Sequence, residues 1–97
     1  MDRAQLRQLL IDVLTQIQTN SGRAVPPFTD DLRPLEDLDG FDSLNAEEAT
    51  TMLSIRLELE IRDNPFVHGN KALRLSQIVD RLLAVMQARG AHSHAGR

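Results

Sequence analysis

Three stretches of the chain place apolar residues at steps of three and four, the spacing of one face of an α-helix. The first stretch predicts a helix over about residues 3–19. Asp2, with Gln5 three residues later, is typical of a capping box at its start, and Asn20-Ser21-Gly22 predicts its end. One side of this helix is therefore expected to face a core. That side carries Leu6, Leu9, Leu10, Val13, Leu14 and Ile17.

Two later stretches predict further long helices. The second helix is expected to begin at Asp42, whose carboxylate can accept hydrogen bonds from the free amides of the first turn. The last helix is expected to close at Arg89-Gly90. The second stripe consists of Ala46, Ala49, Leu53 and Leu57, and the last of Leu75, Ile78, Val79, Leu82, Val85 and Met86.

Residues 55–61 follow a different pattern, in which apolar and charged residues alternate with a period of two. Such alternation is typical of a strand. No second alternating segment is available to pair with it, and a lone strand leaves its backbone groups without partners. We therefore expect the second helix to run to about Leu59, with Ile61 anchoring the exit.

The connections complete an all-α prediction. Residues 20–42 are rich in helix breakers but contain scattered apolar residues, which predicts a long loop held to the core, with a helical turn near residues 29–32. Asn64-Pro65 resembles a helix cap followed by proline, which predicts a short helix that Gly69 ends. The expected fold is a four-helix bundle in residues 1–90, with a flexible polar tail in residues 91–97.

Composition agrees with one small helical domain. A chain of 97 residues is long enough for a single core, and 41% hydrophobic residues with only three aromatics favour an aliphatic helical interior. The absence of cysteine excludes a disulfide framework and a thiolate metal site, so thiol chemistry would need a borrowed group. The longest apolar run, residues 82–86, is too short to insert into a membrane, and we expect a soluble, cytoplasmic protein.

Charge is concentrated in one segment. The formal net charge is −3, but residues 30–48 contain eight carboxylates and a single basic residue, Arg33. A field of this sign repels nucleic acid and favours a basic protein surface, whose approach it would steer. The alternative is a solvated acidic loop without a partner. The carboxylates belong to Asp30, Asp31, Glu36, Asp37, Asp39, Asp42, Glu47 and Glu48.

Ser43 is the candidate for covalent modification. A serine in the first turn of a helix lies near free backbone amides and the positive end of the helix dipole, which stabilise an attached phosphodiester. A nucleophilic serine would instead need a base within hydrogen-bond reach, and the one histidine outside the tail is His68. We therefore expect no catalytic residue and no enzymatic activity. In the remaining alternative Ser43 only helps to start the helix.

The segment Leu38-Asp39-Gly40-Phe41-Asp42-Ser43-Leu44 resembles the modification site of the acyl carrier proteins. The resemblance covers about residues 3–88 and includes the apolar Leu35 upstream, the long first loop and residues 75–80 near the last helix. It implies the four-helix bundle of that family. It also implies that the Ser43 hydroxyl, flanked by Asp42 and Leu44, is esterified by the phosphate of 4′-phosphopantetheine from coenzyme A.

By the same resemblance, the chain would carry acyl intermediates as thioesters for fatty acid, lipid or polyketide-type biosynthesis. Its partners would be a phosphopantetheinyl transferase and acyl-loading and acyl-processing enzymes with basic patches. Asp39, Asp42, Glu47 and Glu48 would form the docking surface of a monomeric carrier. Glu47 stands where carriers of fatty acid synthesis usually have an aliphatic residue, and Arg74 where a capping threonine is common, which favours a carrier of a specialised pathway.

Several alternatives stay open. The chain could carry aminoacyl or peptidyl groups, or it could be a helical interaction module with an acidic face and no prosthetic group. Ala46 and Ala49 could leave room for an acyl chain between helices or simply permit close helix packing. His92 and His94 lack a third metal ligand nearby, so no metal site is expected.

Overall fold

The computed structural model describes the backbone of residues 1–95 and the side chains of residues 1–89. In this part of the chain, α1 is the central element and packs against both α3 and α4. The fold is a small, mostly helical one with a two-stranded antiparallel hairpin. Its elements are α1 (Arg3–Asn20), α2 (Pro34–Asp37), α3 (Ser43–Leu57), β1 (Val67–His68), β2 (Lys71–Ala72) and α4 (Leu75–Ala95).

The predicted apolar stripes supply most of the core, although Leu57, Val85 and Met86 are only half-buried. In α1, Leu9 is only half-buried, whereas the rest of the stripe is buried. In α3, which contacts α1, the first two residues of the stripe are the small Ala46 and Ala49. The fully buried apolar residues of the three long helices are Leu6, Leu10, Val13, Leu14, Ala46, Ala49, Leu53, Leu75, Ile78, Val79 and Leu82.

Both ends of α1 agree with the sequence prediction. The Asp2 carboxylate accepts from the Gln5 amide at 2.8 Å, and the Gln5 side chain accepts from the Asp2 amide at 2.9 Å, which confirms the capping box. At the other end Gly22 adopts φ +71°, the left-handed conformation that glycine adopts most easily. The Arg23 amide then donates to the carbonyl of Gln18 at 2.8 Å, the bond of a Schellman motif.

The second long helix, α3, ends at Leu57, two residues before the predicted end. Glu58 takes the left-handed conformation, with φ 49° and ψ 51°. The Leu59 amide donates back to the carbonyl of Ser54 at 3.0 Å, which closes a second Schellman motif and buries Leu59. The alternating residues 55–61 do not form a strand.

Replacing Glu58 by glycine should stabilise the protein. A non-glycine residue in the left-handed region costs about 1 kcal/mol, and glycine removes that cost while adding some entropy to the unfolded chain. We expect Glu58→Gly to raise the free energy of unfolding by about 0.5–1 kcal/mol, measured by urea denaturation. Glu60→Gly removes the same charge from the same loop without relieving a left-handed residue, and it should not stabilise. Equal or lower stability of Glu58→Gly would contradict the strain argument.

The all-α prediction is incomplete, and the short helix predicted after Asn64 is wrong. The Asn64 side chain accepts from the Phe66 amide at 2.9 Å, which makes a turn rather than a helix cap. Gly69, at φ +61°, then begins the turn of a hairpin in which Val67 pairs with Ala72. The short helix is instead α2, within the first long loop. The predicted turn near residues 29–32 is present, since the Leu32 amide donates to the carbonyl of Thr29 at 3.2 Å.

The start of α4 explains how this helix begins without a capping threonine. Arg74 stands at the capping position, and its amide donates to the Gln77 side chain at 2.9 Å. Carbonyls of the first loop accept from the next two amides: Leu32 from Leu75 at 2.8 Å and Asp30 from Ser76 at 3.2 Å. The loop backbone therefore provides the cap that the sequence lacks.

The last helix continues to Ala95, beyond the predicted end at Gly90. The predicted tail, residues 91–97, lies partly outside the described residues, and its flexibility stays a prediction. Within the described part of the chain, no helix is both long and apolar enough to cross a bilayer.

Candidate functional site

Ser43 is the first residue of α3 and is exposed to solvent. Asp42 caps the helix as predicted, its carboxylate accepting from the Asn45 amide at 3.1 Å. The Asn45 side chain returns the interaction by accepting from the Asp42 amide at 3.3 Å. This capping box fixes the backbone on both sides of Ser43.

The helix start leaves groups available for an anion. The amides of Ser43 and Leu44 have no acceptor among the described residues, and the Ser43 hydroxyl has no hydrogen-bond partner there. Free amides at a helix start point toward the position where negative charge is stabilised. Leu44 is 71% exposed, which places an aliphatic side chain in solvent next to the serine.

The loop that leads to Ser43 is anchored at two buried residues. Leu38 and Phe41 are each 4% exposed, and the Phe41 ring lies 5.7 Å from the ring of Phe66, centroid to centroid. The Phe41 amide donates to the carbonyl of Leu38 at 3.2 Å, closing a turn in which Gly40 adopts φ +66°. This positive φ at the third position of the turn favours glycine. Asp39 and Gly40 are thereby held at the surface.

The carboxylates predicted to dock partners are all exposed: Asp39, Asp42, Glu47 and Glu48. None of them forms an ion pair within the described residues. Arg33, the one basic residue of the acidic segment, donates to the carbonyl of Ala72 instead, at 2.5 Å. The ion pairs of the described chain lie elsewhere, at Arg3–Asp80, Arg7–Asp30, Arg62–Glu60 and Arg74–Asp31. These four carboxylates therefore present their charge to solvent without a contact ion pair in the described chain.

The described residues provide neither a base hydrogen-bonded to Ser43 nor a cluster of metal ligands. Ser43 has no base hydrogen-bonded to it, and His68 is an exposed residue of β1, opposite Lys71 in the hairpin. Groups of three or more potential metal ligands are absent from the described residues. The side chains of His92 and His94 lie outside that part.

Two open depressions lie beside α3. A cleft of about 450 Å³ is lined by Glu47, Thr50 and Thr51 of α3 and by residues 62–64. A groove of about 980 Å³ lies between residues 54–65 and the face of α4 that carries Arg81 and Val85. Ala46 and Ala49 line neither depression and are fully buried in the core. The sequence predicts neither depression, because the alternation of residues 55–61 does not indicate how the segment after α3 lies relative to α4.

A polar network beneath the loop was also not predicted. Gln18 is fully buried, and its side-chain amide Nε2 donates to the carbonyl of Asp39 at 2.7 Å. Arg23 donates to the side chains of Asn45 at 2.9 Å and Gln18 at 3.4 Å. One signal was available in the sequence: Gln18 stands four residues after Leu14, so a polar residue continues the apolar stripe.

The chain was compared with known proteins at three levels. No protein-family model, no curated protein and no solved structure matches it. Assignment to a family therefore depends on the residues and geometry of this chain alone.

Proposed function

We propose that the chain is an acyl carrier protein and that Ser43 takes a 4′-phosphopantetheine arm. The observation that carries this proposal is the exposed Ser43 at the first position of α3, beside two amides without acceptors in the described chain. A phosphodiester on this oxygen would lie at the positive end of the helix dipole. The Gly40-Phe41-Asp42-Ser43-Leu44 motif supports the same assignment.

The attachment reaction needs a partner enzyme. The Ser43 oxygen would attack the phosphorus of coenzyme A next to pantetheine, forming a new phosphate ester and releasing adenosine 3′,5′-bisphosphate. The serine proton must go to a base, and the described part of this chain offers none at the hydroxyl, so the transferase would supply it. Since the chain contains no cysteine, the thiol that carries the acyl group as a thioester would be that of the arm.

The acidic surface would serve as the docking site for the transferase and for the acyl-loading and acyl-processing enzymes. Asp39, Asp42, Glu47 and Glu48 are exposed and unpaired in the described chain. Exposed charge pairs contribute little affinity each, but together they set the orientation and the association rate of two proteins. Weak, fast docking suits a carrier that must visit several enzymes in turn.

Charge reversal on α3 should slow the transfer of the arm. Glu47→Lys with Glu48→Lys is expected to lower kcat/KM of a phosphopantetheinyl transferase by about tenfold or more at low ionic strength, and by less at high salt. The measurement is the initial rate of arm addition at several salt concentrations. Glu58→Lys with Glu60→Lys changes the net charge equally, past the other end of α3, and should have a small effect. Equal effects of the two double variants would contradict docking through α3.

The proposal itself is tested on the wild-type chain. Incubation with coenzyme A and a promiscuous phosphopantetheinyl transferase should increase the intact mass by one phosphopantetheine group, and fragmentation should locate the group on Ser43. Wild-type protein that stays unmodified with several such transferases, or is modified elsewhere, would overturn the proposal.

The exposed carboxylates without ion pairs in the described chain also favour a second candidate, a helical interaction module without a prosthetic group. Binding of a basic partner by Ser43→Ala and by protein without the arm, at the affinity of the modified protein, would support it. A carrier of aminoacyl or peptidyl groups would share the attachment chemistry. The mass of the species isolated from the native host would distinguish those cargos from acyl chains.

A further inference from the structure

We infer that Arg23 is a positioning residue for the modification of Ser43, acting through the side chain of Asn45. The inference rests on the proposed function of Ser43 and adds a residue that lies outside the carrier motif. Arg23 precedes Ser43 by twenty positions, in the first loop, and reaches the start of α3 through its side chain.

The backbone of Arg23 is fixed by the end of α1. Its amide donates to the carbonyl of Gln18 at 2.8 Å, within the Schellman motif that Gly22 permits. The guanidinium then extends from the end of one helix to the beginning of another. A side chain that starts from a fixed backbone loses less entropy on binding than one that starts from a mobile loop.

The guanidinium contacts the chain on both sides of Ser43. Upstream it lies against Gly40, where an added Cβ would be 2.6 Å from Nε of Arg23. Downstream it donates to Oδ1 of Asn45 at 2.9 Å. The guanidinium of Arg23 therefore contacts both the turn that contains Gly40 and the first turn of α3. Ser43 lies between these two contacts in the sequence.

The contact to Asn45 reaches the cap of α3. The same Oδ1 atom also accepts from the Asp42 amide at 3.3 Å, so Arg23 fixes the side chain that completes the capping box. Arg23 also donates to Oε1 of the fully buried Gln18, which in turn binds the carbonyl of Asp39. Because a buried amide without partners is costly, these hydrogen bonds favour the arrangement in which Gln18 holds the carbonyl of Asp39. The loop before Ser43 is held in that arrangement.

The acceptors of Arg23 are neutral amide oxygens, so its role is geometric rather than that of an ion pair. Loss of the guanidinium should leave the exposed acidic surface in place but let the start of α3 fray. A transferase would then still bind the carrier, and the serine oxygen would be aligned for attack in a smaller fraction of the complexes. Misalignment of a nucleophile lowers kcat rather than raising KM.

The experiment compares Arg23→Gln with Arg56→Gln. Arg56 lies at the opposite end of α3 and donates to the Gln16 side chain at 3.2 Å. Both variants therefore lose one positive charge and arginine-to-amide hydrogen bonding, one contact for Arg56 and two for Arg23. We expect Arg23→Gln to lower kcat for arm addition by about tenfold, with KM for carrier and coenzyme A little changed. Arg56→Gln should retain the wild-type kcat. Circular dichroism at the assay temperature establishes that both variants are folded.

A double-mutant cycle tests the route through Asn45. If Arg23 acts through this side chain, Arg23→Gln should change kcat by less than about twofold in the Asn45→Ala background. Fully additive effects, a kcat of Arg23→Gln equal to that of Arg56→Gln, or a rise in KM for coenzyme A alone would each overturn the inference. Failure of the wild-type chain to accept the arm would instead defeat the proposed function, so the two failures are distinguishable.

Discussion

Ser43→Ala should abolish addition of the phosphopantetheine arm and leave the fold unchanged. The substitution removes the one oxygen to which the arm would be esterified, so no residual reaction is expected at this residue. The side chain is exposed and its hydroxyl has no hydrogen-bond partner in the described chain, so the free energy of unfolding should change by less than about 0.5 kcal/mol. Intact mass after incubation with coenzyme A and a transferase, together with urea denaturation, measures both outcomes.

Ser76→Ala is the matched control for that variant. Ser76 also lies in the first turn of a long helix, α4, but it is half-buried and its amide donates to the carbonyl of Asp30. We expect Ser76→Ala to take the arm at the wild-type rate. Addition of one arm to Ser43→Ala would show that another residue is the attachment site.

Phe66→Ala should cause the largest loss of stability among the substitutions considered. Phe66 is fully buried in the core, and its ring packs against that of Phe41. Truncation of a buried phenylalanine typically costs about 3–5 kcal/mol, a large part of the total stability of a domain of this size. Urea denaturation followed by circular dichroism should show a much lower midpoint.

Phe28→Ala provides the comparison for Phe66→Ala, because Phe28 is only half-buried at the edge of the core. We expect it to cost less than about 2 kcal/mol. Since Phe41 belongs to the loop before Ser43, Phe66→Ala should also slow arm addition in protein that is still folded, whereas Phe28→Ala should not. Similar midpoints for the two variants would mean that Phe66 is not a central residue of the core.

The long helices could be predicted from the sequence because their apolar residues recur with the period of the helix. The start of α1 was equally clear, since Asp2 and Gln5 have the spacing that a capping box requires. The position of Ser43 at the start of α3 followed from Asp42 in the same way. Helix periodicity and capping depend only on residues within a few positions of one another, so they can be read from the sequence without knowledge of the tertiary structure.

The parts that were missed depend on contacts between distant segments. The hairpin has only two residues in each strand, too few for an alternating pattern. Arginine side chains from distant parts of the chain donate to both strands. Arg33 donates to the carbonyl of Ala72, and Arg81 donates to the carbonyl of Val67. Similarly, the hydrogen bond from Arg23 to Asn45 joins residues on either side of the first long loop, and the irregular sequence of that loop does not predict its path. The helix α3 ends at Leu57, earlier than predicted, because Glu58 adopts the left-handed conformation. Glutamate is uncommon in that conformation, so the sequence does not indicate this end.

The hairpin carries the single lysine of the chain, Lys71, on an exposed position of β2. Amine-directed reagents thus have one side-chain target besides the α-amino group, and α3 presents none. A dye or an immobilisation tether introduced through this amine would leave every carboxylate next to Ser43 chemically intact. The molecule is thereby suited to conjugation without engineered handles, with the conjugate held on the hairpin.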